Sequence, residues 1–279
     1  MKDYQKTLFP YAYNILGSAE DAKDAVQDVI VRYISMPKKD IENETGYLIK
    51  GVINQSINIK NRNKKITTDK VWLPEPLATE TADSDINRNE IISYSMLVLL
   101  EYLNPKERAA FILKEAFDYS HEEIANTLSI SVENSRKLLS RAKSKLDISK
   151  EKIDEVTFSA SAYLENYINI IKNGDTKALE KLLSEEILVT ADGGGKVNVV
   201  REITVGVQAT SDLIFYLYNT YQNIYEVKYQ LINHQPALLF YRDGTLINCQ
   251  VFEFEAITKK IRRIYSVVDP DKLKNIFPG

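Results

Sequence analysis

The sequence is short of the residues that build disulfides, zinc sites and membrane spans. Its 279 residues include a single cysteine, Cys249, so neither an internal disulfide nor a cysteine-based zinc site can form. The longest apolar runs, Met96–Leu100 and Ala237–Tyr241, fall far short of the roughly 20 residues that cross a bilayer. The first residues lack the apolar segment of a secretory signal. These absences predict a cytoplasmic protein.

An excess of charge of one sign is also lacking. The 36 Lys and Arg residues nearly balance the 39 Asp and Glu residues, which leaves a net charge of −3. Because binding to nucleic acid depends on where cations are placed, this balance does not exclude it. Apolar residues make up 44% of the chain, which is typical of folded globular proteins and excludes wholesale disorder. A chain of this length suits two or three domains.

Residues 1–66 predict a helical domain. Apolar residues recur at helical spacing between Tyr4 and Ile15, and Ser18 then caps a second helix. The apolar positions of this second helix, from Ala22 to Ile34, predict its buried face. Another face of this helix carries Asp24, Gln27 and Asp28. Because acidic side chains repel DNA, this face is better suited to a protein partner. The alternative is a simply solvated helix surface.

The third helical stretch, from about Tyr47 to Lys65, carries cations and asparagines on one face. Such a face suits phosphate contacts combined with hydrogen bonds to base edges. A solvated lysine- and asparagine-rich surface is the alternative interpretation. The face consists of Lys50, Asn54, Asn58, Asn61, Arg62 and Lys65.

Residues 67–90 predict an acidic linker. Between Glu75 and Glu90 the charges sum to −4, and helical periodicity is weak. The chain's single tryptophan, Trp72, stands in this linker beside Pro74 and Pro76. A large aromatic ring among prolines usually docks against another part of a protein.

Residues 91–150 predict a helix-turn-helix domain. Capping patterns begin at Asn104 and Ser120, and a short joint precedes a basic helix over Val132–Leu146. Such a helix fits the major groove of DNA, although an ordinary surface helix is the alternative. The candidate DNA-contacting residues are Ser131, Asn134, Arg136, Lys137, Ser140 and Arg141.

Residues 157–279 predict an α+β domain, in which two helices precede an antiparallel sheet. Asp243-Gly244 between two apolar runs is a strong hairpin signal. The domain contains one histidine, His234, near a predicted turn, which is better explained by structure than by acid–base catalysis. Cys249 lies in an alternating apolar run and is interpreted as a buried, inert thiol.

The two helical parts together resemble a bacterial sigma factor of the extracytoplasmic-function (ECF) type. The resemblance lies in LGSAEDAKDAVQDVIVRYI, GYLIKGVINQSINIKNRNKK and the segment from LNPKERAAF to SRAKSKL. It implies that the Asp24 face binds the β′ clamp of core RNA polymerase. It also implies that the Lys50–Lys65 face holds the minus-ten promoter element, and that the basic helix reads the minus-thirty-five element.

Residues 157–279 resemble the SnoaL-like (NTF2-like) extension of one subgroup of this family. Three short motifs carry the resemblance. It implies a fused regulator that acts in place of an anti-sigma factor, and we expect the three motifs to contact one another. They are Trp72-Leu73-Pro74-Glu75-Pro76, Asp192-Gly193-Gly194-Gly195-Lys196 and Asp269-Pro270-Asp271-Lys272-Leu273.

Two other functions compete with a sigma factor. One is a metabolite-responsive regulator that binds duplex DNA through its helix-turn-helix alone and senses a ligand in the NTF2-like cone. The other is an NTF2-like enzyme with a DNA-binding module. The Asp24 face and the asparagine-rich helix favour a sigma factor, because neither alternative needs them. We therefore expect no enzymatic activity, no cofactor and no metal, with a small ligand of the cone left open.

Overall fold

The chain divides into two compact units. The structure is a computed structural model. One unit comprises Met1–Asp69 and Thr81–Lys150, and the other comprises Lys70–Glu80 and Glu151–Gly279. The segment around Trp72 therefore belongs with the C-terminal part of the chain. The residues that the structure describes are 4–36, 41–63, 71–79, 88–146, 159–200, 203–274 and 276.

The first unit is helical in all its described regular elements, apart from short 3₁₀ turns at Arg88–Glu90 and Leu100–Tyr102. No helix among the described residues is both long enough and apolar enough to span a bilayer. The helices are α1 (Tyr4–Leu16), α2 (Ala19–Ser35), α3 (Glu44–Asn63), α4 (Tyr94–Leu99), α5 (Pro105–Glu115), α6 (His121–Leu128) and α7 (Val132–Leu146).

Local sequence signals set the ends of these helices. Ser18 caps α2 by accepting a hydrogen bond from the Asp21 amide at 3.2 Å. Both predicted capping boxes form, with Asn104 before α5 and Ser120 before α6. The predicted helix-turn-helix is thus confirmed, and Ser129 makes its turn in the left-handed conformation at φ +54°.

The helices of the first unit form two modules that pack against each other. We name them the N-terminal module (α1–α3) and the helix-turn-helix module (α4–α7). Helix α1 packs on α2, α3 and α5, and α3 also packs on α5 and α6. The rings of Tyr11 and Phe117 stack at a centroid distance of 3.9 Å across the two modules. The predicted buried face of α2 is wrong at one position, because the side chain of Ile34 is 65% exposed.

The second unit is the α+β structure that the sequence predicted. Its described strands form one sheet in the order β2-β1-β6-β5-β4-β3, antiparallel except for the β1–β6 pair. The helices are α8 (Ala160–Lys172), α9 (Thr176–Leu182), α10 (Val207–Thr220) and α11 (Pro270–Leu273), with a 3₁₀ turn at Gln222–Ile224. The strands are β1 (Leu183–Asp192), β2 (Thr204–Val205), β3 (Glu226–Ile232), β4 (Gln235–Arg242), β5 (Thr245–Phe254) and β6 (Ile261–Val267).

The predicted hairpin joins β4 to β5. Asp243 and Gly244 both have positive φ, at +50° and +75°, as a two-residue turn of this type requires. Helices α8 to α10 cover one face of the sheet, where Leu164, Phe240 and Phe252 belong to the core. Alternate residues of β5, such as Cys249, point to the opposite face and are also buried. The prediction that Cys249 is a buried thiol is confirmed, and burial raises the pKa of this thiol well above its usual range.

Candidate functional site

The acidic face of α2 is open to solvent. Asp24, Gln27 and Asp28 are all exposed, and the three side chains lie within little more than one helical turn. Asp28 accepts a hydrogen bond from Gln55 at 3.0 Å and lies 3.9 Å from Arg32. Contacts between such exposed side chains are weak, so they do not prevent the carboxylates from meeting a partner.

Apolar side chains extend this surface toward the end of α2. Val31 is 54% exposed and Ile34 is 65% exposed. Met36 is also exposed and accepts a hydrogen bond from the Tyr47 hydroxyl at 3.3 Å. A surface with clustered apolar residues beside carboxylates is typical of a protein-binding site.

The basic face of α3 divides into an outer and an inner part. Asn58, Asn61 and Arg62 form the outer part and are exposed. Lys65 lies outside the described residues. The outer part presents amide and guanidinium donors to solvent, which suits contacts with nucleic-acid phosphates and bases.

The inner part of this face is half-buried against the helix-turn-helix module. The Asn54 amide nitrogen donates to the carbonyl oxygen of Lys50 at 2.8 Å and to that of Thr127 at 3.3 Å. Thr127 belongs to α6, so a residue predicted to hold the minus-ten element instead contacts the other module. The sequence pattern did not indicate this contact.

The predicted DNA-contacting residues of the basic helix share one exposed surface. The side chains of Leu138, Leu139 and Ala142 face the core on the other side of α7. A hydrogen bond of 2.9 Å between His121 and Ser135 holds α6 against α7. The exposed residues are Ser131, Asn134, Arg136, Lys137, Ser140 and Arg141.

At the N-terminus of α7, the capping residue Ser131 supplies a hydrogen-bond partner for one of the free backbone N–H groups. The Ser131 hydroxyl oxygen accepts a hydrogen bond from the Asn134 amide at 3.1 Å. Lys137 pairs with Glu133 one turn away at 2.6 Å, and both side chains are more than half exposed. Because exposed ion pairs are weak, Lys137 can leave Glu133 and contact a phosphate instead.

In the second unit, the Asp192 carboxylate joins the three sequence motifs. It is 4% exposed and accepts hydrogen bonds from the backbone amides of Leu73 and Gly194, both at 2.8 Å. Lys272 donates to the same carboxylate at 2.6 Å and to the Leu73 carbonyl at 2.6 Å. Its ammonium group also lies 4.3 Å from the centre of the Trp72 ring. We call this cluster the Asp192 anchor.

The tail motif packs against the glycine loop. The Asp269 side chain caps α11 by accepting a hydrogen bond from the Asp271 amide at 3.1 Å. Asp271 also pairs with Lys196 at the exposed edge of the cluster. Pro270 opens the short helix and Leu273 is buried.

The glycine loop needs its small residues because neighbouring groups approach closely. A Cβ on Gly194 would lie 2.2 Å from an Asp269 oxygen, and its φ is +61°. A Cβ on Gly193 would lie 2.2 Å from the Val197 carbonyl oxygen. Gly195 has φ +75° and is exposed. Two of the three glycines therefore permit close contacts that other residues would block.

A second anchor holds the linker at the sheet edge. Leu77 and Asn233 exchange hydrogen bonds: the Leu77 amide donates to the Asn233 side chain at 3.0 Å, and the Asn233 amide donates to the Leu77 carbonyl at 2.9 Å. Ala78 pairs antiparallel with Ile232 of β3. No local sequence signal predicted this anchor, because it depends on an edge strand that lies more than 150 residues away.

The linker crosses the sheet between its two anchors. Leu73 is held at Asp192, at the end of β1, and Leu77 is held at Asn233, between β3 and β4 at the far edge of the sheet, which requires an extended linker backbone. Pro74 and Pro76 favour this extended backbone and are buried.

Comparisons with known proteins agree with this architecture. Residues 94–146, which include the whole helix-turn-helix, match the family described as "Sigma-70, region 4". The chain is 23% identical over 272 residues to "Probable ECF RNA polymerase sigma factor SigI" of Mycobacterium tuberculosis, covering 95% of this chain and 91% of that protein.

A second relative is "ECF RNA polymerase sigma factor SigJ" of the same organism, 28% identical over 197 residues, covering 68% of this chain and 62% of that protein. The crystal structure of that organism's SigJ superposes with a TM-score of 0.75 at 22% identity, covering 98% of this chain and 96% of the other. These likenesses support the resemblance to ECF sigma factors that the sequence motifs carry. The predicted fold class is confirmed as two helical modules followed by an α+β domain.

Within the described part of the chain, no group of three or more histidine, cysteine or acidic side chains has the arrangement of a metal site. Sequence reasoning also missed three charged residues that the fold brings together, Lys60, Glu101 and Arg108. Lys60 lies 41 positions before Glu101, and no motif links the three residues.

Proposed function

We propose that the chain initiates transcription at specific promoters and that its second unit controls this activity through the linker. The observation that carries the proposal is the Asp192 anchor. One buried carboxylate there binds the linker, the glycine loop and the tail lysine. The linker lies in sequence between the two modules of the first unit, so its path limits how far those modules can separate.

The exposed face of α2 would bind core RNA polymerase. Asp24, Gln27 and Asp28 suit a basic partner surface on the β′ clamp, where carboxylates add specificity and speed of association. Val31 and Ile34 beside them would supply apolar contact area. The β subunit is the expected second contact of the helical modules.

The two cationic helices would bind promoter DNA. Asn58, Asn61 and Arg62 of α3 would capture the unpaired strand of the minus-ten element, in line with the role proposed for the whole Lys50–Lys65 face. Arg136, Lys137 and Arg141 of α7 would contact the minus-thirty-five element in the major groove. Loss of one phosphate contact should weaken binding to all sequences and reduce the salt slope by about 1.

The second unit would act as a built-in regulator in place of a separate anti-sigma factor. Weakening the Asp192 anchor is expected to change the amount of transcript while leaving the choice of promoter intact, because the DNA-contacting residues are untouched.

The test is reconstituted transcription with purified core polymerase and full-length variants. Gly194→Trp places a large side chain against Asp269, and a second variant lacks the residues from Asp269 onward. Gly174→Trp is the matched control, since Gly174 also has positive φ but a Cβ there meets nothing within 4 Å.

Altered transcript levels at an unchanged start site would support the regulatory role. Unchanged transcription in both test variants would refute it. Failure of the wild-type chain to associate with core polymerase, together with DNA binding in its absence, would instead favour a regulator that acts through the helix-turn-helix alone.

A further inference from the structure

A buried group of charges joins the two modules of the first unit. Lys60 of α3 donates to both carboxylate oxygens of Glu101 at 2.8 Å each, and to the Leu16 carbonyl at 2.9 Å. Arg108 of α5 donates to Glu101 from the other side. The side chains of Lys60, Glu101 and Arg108 are 17%, 25% and 0% exposed. We call these three residues the charge triad.

Asn14 of α1 ties the same region together. Its carbonyl accepts a hydrogen bond from Arg108 Nε at 3.0 Å. Its side chain donates to the Glu90 carbonyl at 2.8 Å and accepts from the Ile92 amide at 3.2 Å. The N-terminal module thus holds both the segment that leads into the helix-turn-helix module and the arginine at its centre.

The charge triad contains two cations and one anion, so its charge is not balanced. Burial is the largest influence on Lys60, and together with the nearby Arg108 it lowers the pKa of Lys60 to about 7. Burial opposes ionisation of Glu101, but the two cations outweigh it and hold the pKa of that carboxyl below its ordinary value. Arg108 Nη2 is buried and has no hydrogen-bond partner among the described residues.

This imbalance makes the contact between the modules easy to disturb. Glu101 compensates both cations, so removing its charge leaves the buried Arg108 without an anion, beside a Lys60 whose ammonium form has lost its main stabilising partner. Separation of the modules would return Lys60 to water while Arg108 stays with Glu101 in the helix-turn-helix module. The packed arrangement therefore tolerates the two cations only while the Glu101 charge lies between them.

The packed arrangement is incompatible with binding both promoter elements at once. The minus-ten and minus-thirty-five elements lie about 25 base pairs apart, or about 85 Å along DNA at about 3.4 Å per step. In the packed unit Asn54 contacts Thr127 of the helix-turn-helix module at 3.3 Å. Helix α7, with 15 residues, adds only about 22 Å. The modules must therefore move apart by tens of ångströms on a promoter.

We propose that the charge triad is a latch that holds the sigma factor in a closed state, with part of the minus-ten face covered by α6. Opening separates Lys60 from Glu101 and frees Asn54. This inference rests on the proposed promoter function in one respect only: binding to a promoter is the reason why the modules must separate. The latch itself is a property of the free protein and is testable without DNA or polymerase.

Energy transfer between dyes on the two modules of the full-length protein measures this opening. Lys23→Cys on α2 and Glu122→Cys on α6 are both exposed sites, whereas native Cys249 is fully buried. One test substitution is Lys60→Glu, which places a second carboxylate beside that of Glu101 but keeps the Glu101–Arg108 pair. The other is Glu101→Gln. Glu133→Gln is the matched control, because it removes a carboxylate from an exposed ion pair.

We expect the transfer efficiency to fall by about half or more in both test variants, and to stay unchanged in Glu133→Gln, because only the buried charges depend on their partners. Unchanged transfer in Lys60→Glu and Glu101→Gln, with wild-type helical content, would overturn the latch. Loss of helical content in both would also overturn it, since the triad would then be needed for folding. Normal opening with no promoter-specific transcription would contradict the proposed function and leave the latch standing.

Discussion

Replacing Asp192 with asparagine should release the linker from its first anchor. Asparagine has nearly the same shape as aspartate, so the substitution removes a charge and opens no cavity. Its amide group brings a hydrogen-bond donor to a place where Lys272 and two backbone amides already donate. The Lys272 side chain, 12% exposed, would lose its anionic partner.

The size of the effect follows from these contacts. A hydrogen bond to a charged group contributes about 1.5–3 kcal/mol, and a buried charge left without its partner costs about 3–5 kcal/mol. Lys272 keeps the Leu73 carbonyl and the Trp72 ring, which places the loss near the lower limit, at about 3 kcal/mol. That free energy corresponds to about a 100-fold change in the equilibrium for local opening.

Hydrogen exchange of the full-length protein measures this opening directly, because the Leu73 amide donates to the Asp192 carboxylate itself. We expect this amide to exchange about 100-fold faster in Asp192→Asn. Asp271→Asn is the matched control, since Asp271 and its partner Lys196 are both more than half exposed. Unchanged exchange at Leu73 in Asp192→Asn, or equal acceleration in Asp271→Asn, would refute the reasoning.

Three further predictions concern local strain and titration. Gly194→Ala should destabilise the second unit by about 3 kcal/mol in thermal unfolding, against about 1 kcal/mol for the control Gly174→Ala. Both glycines have positive φ, but only a Cβ at Gly194 would meet Asp269. Equal losses of stability in the two variants would contradict this reasoning. Ser129→Gly should raise the melting temperature and increase the free energy of unfolding by about 0.5–1 kcal/mol, because Ser129 ends α6 in the left-handed conformation that glycine adopts without strain. A lower melting temperature would contradict this prediction. An NMR titration of the Lys60 side chain should show a pKa near 7, lowered by burial and Arg108 and partly offset by Glu101 and Asp21. Because the folded pKa lies below the unfolded value of 10.5, the free energy of unfolding should rise between pH 7 and 10.5, by up to about 4 kcal/mol, and Lys60→Met should abolish the rise.

The candidate sites were predictable to different degrees. The exposed face of α7 follows from helical periodicity alone, since Leu138 and Ala142 mark the buried side. The grouping of Asp192 with Lys272 and Trp72 was expected from a resemblance of short motifs, and the structure places these side chains in contact. Their regulatory role stays a proposal.

Other parts of the sites were not predictable. Periodicity placed Ile34 on the buried face of α2, yet its side chain is 65% exposed, whereas the neighbouring Tyr33 is only 7% exposed. Asn54 belonged to the basic face of α3 by spacing, but its partner Thr127 lies 73 positions away. Which side chains meet across such distances depends on how helices pack.

The sequence alone determined where most helices and strands begin and end, because caps, turns and periodic apolar residues act over a few positions. It therefore determined the helix-turn-helix and the β4–β5 hairpin. Only the tertiary structure decided that Lys60, Glu101 and Arg108 share one buried site and that the linker crosses the sheet to Asn233. These contacts join residues 7 to 156 positions apart, and their energies depend on burial, which no local pattern specifies.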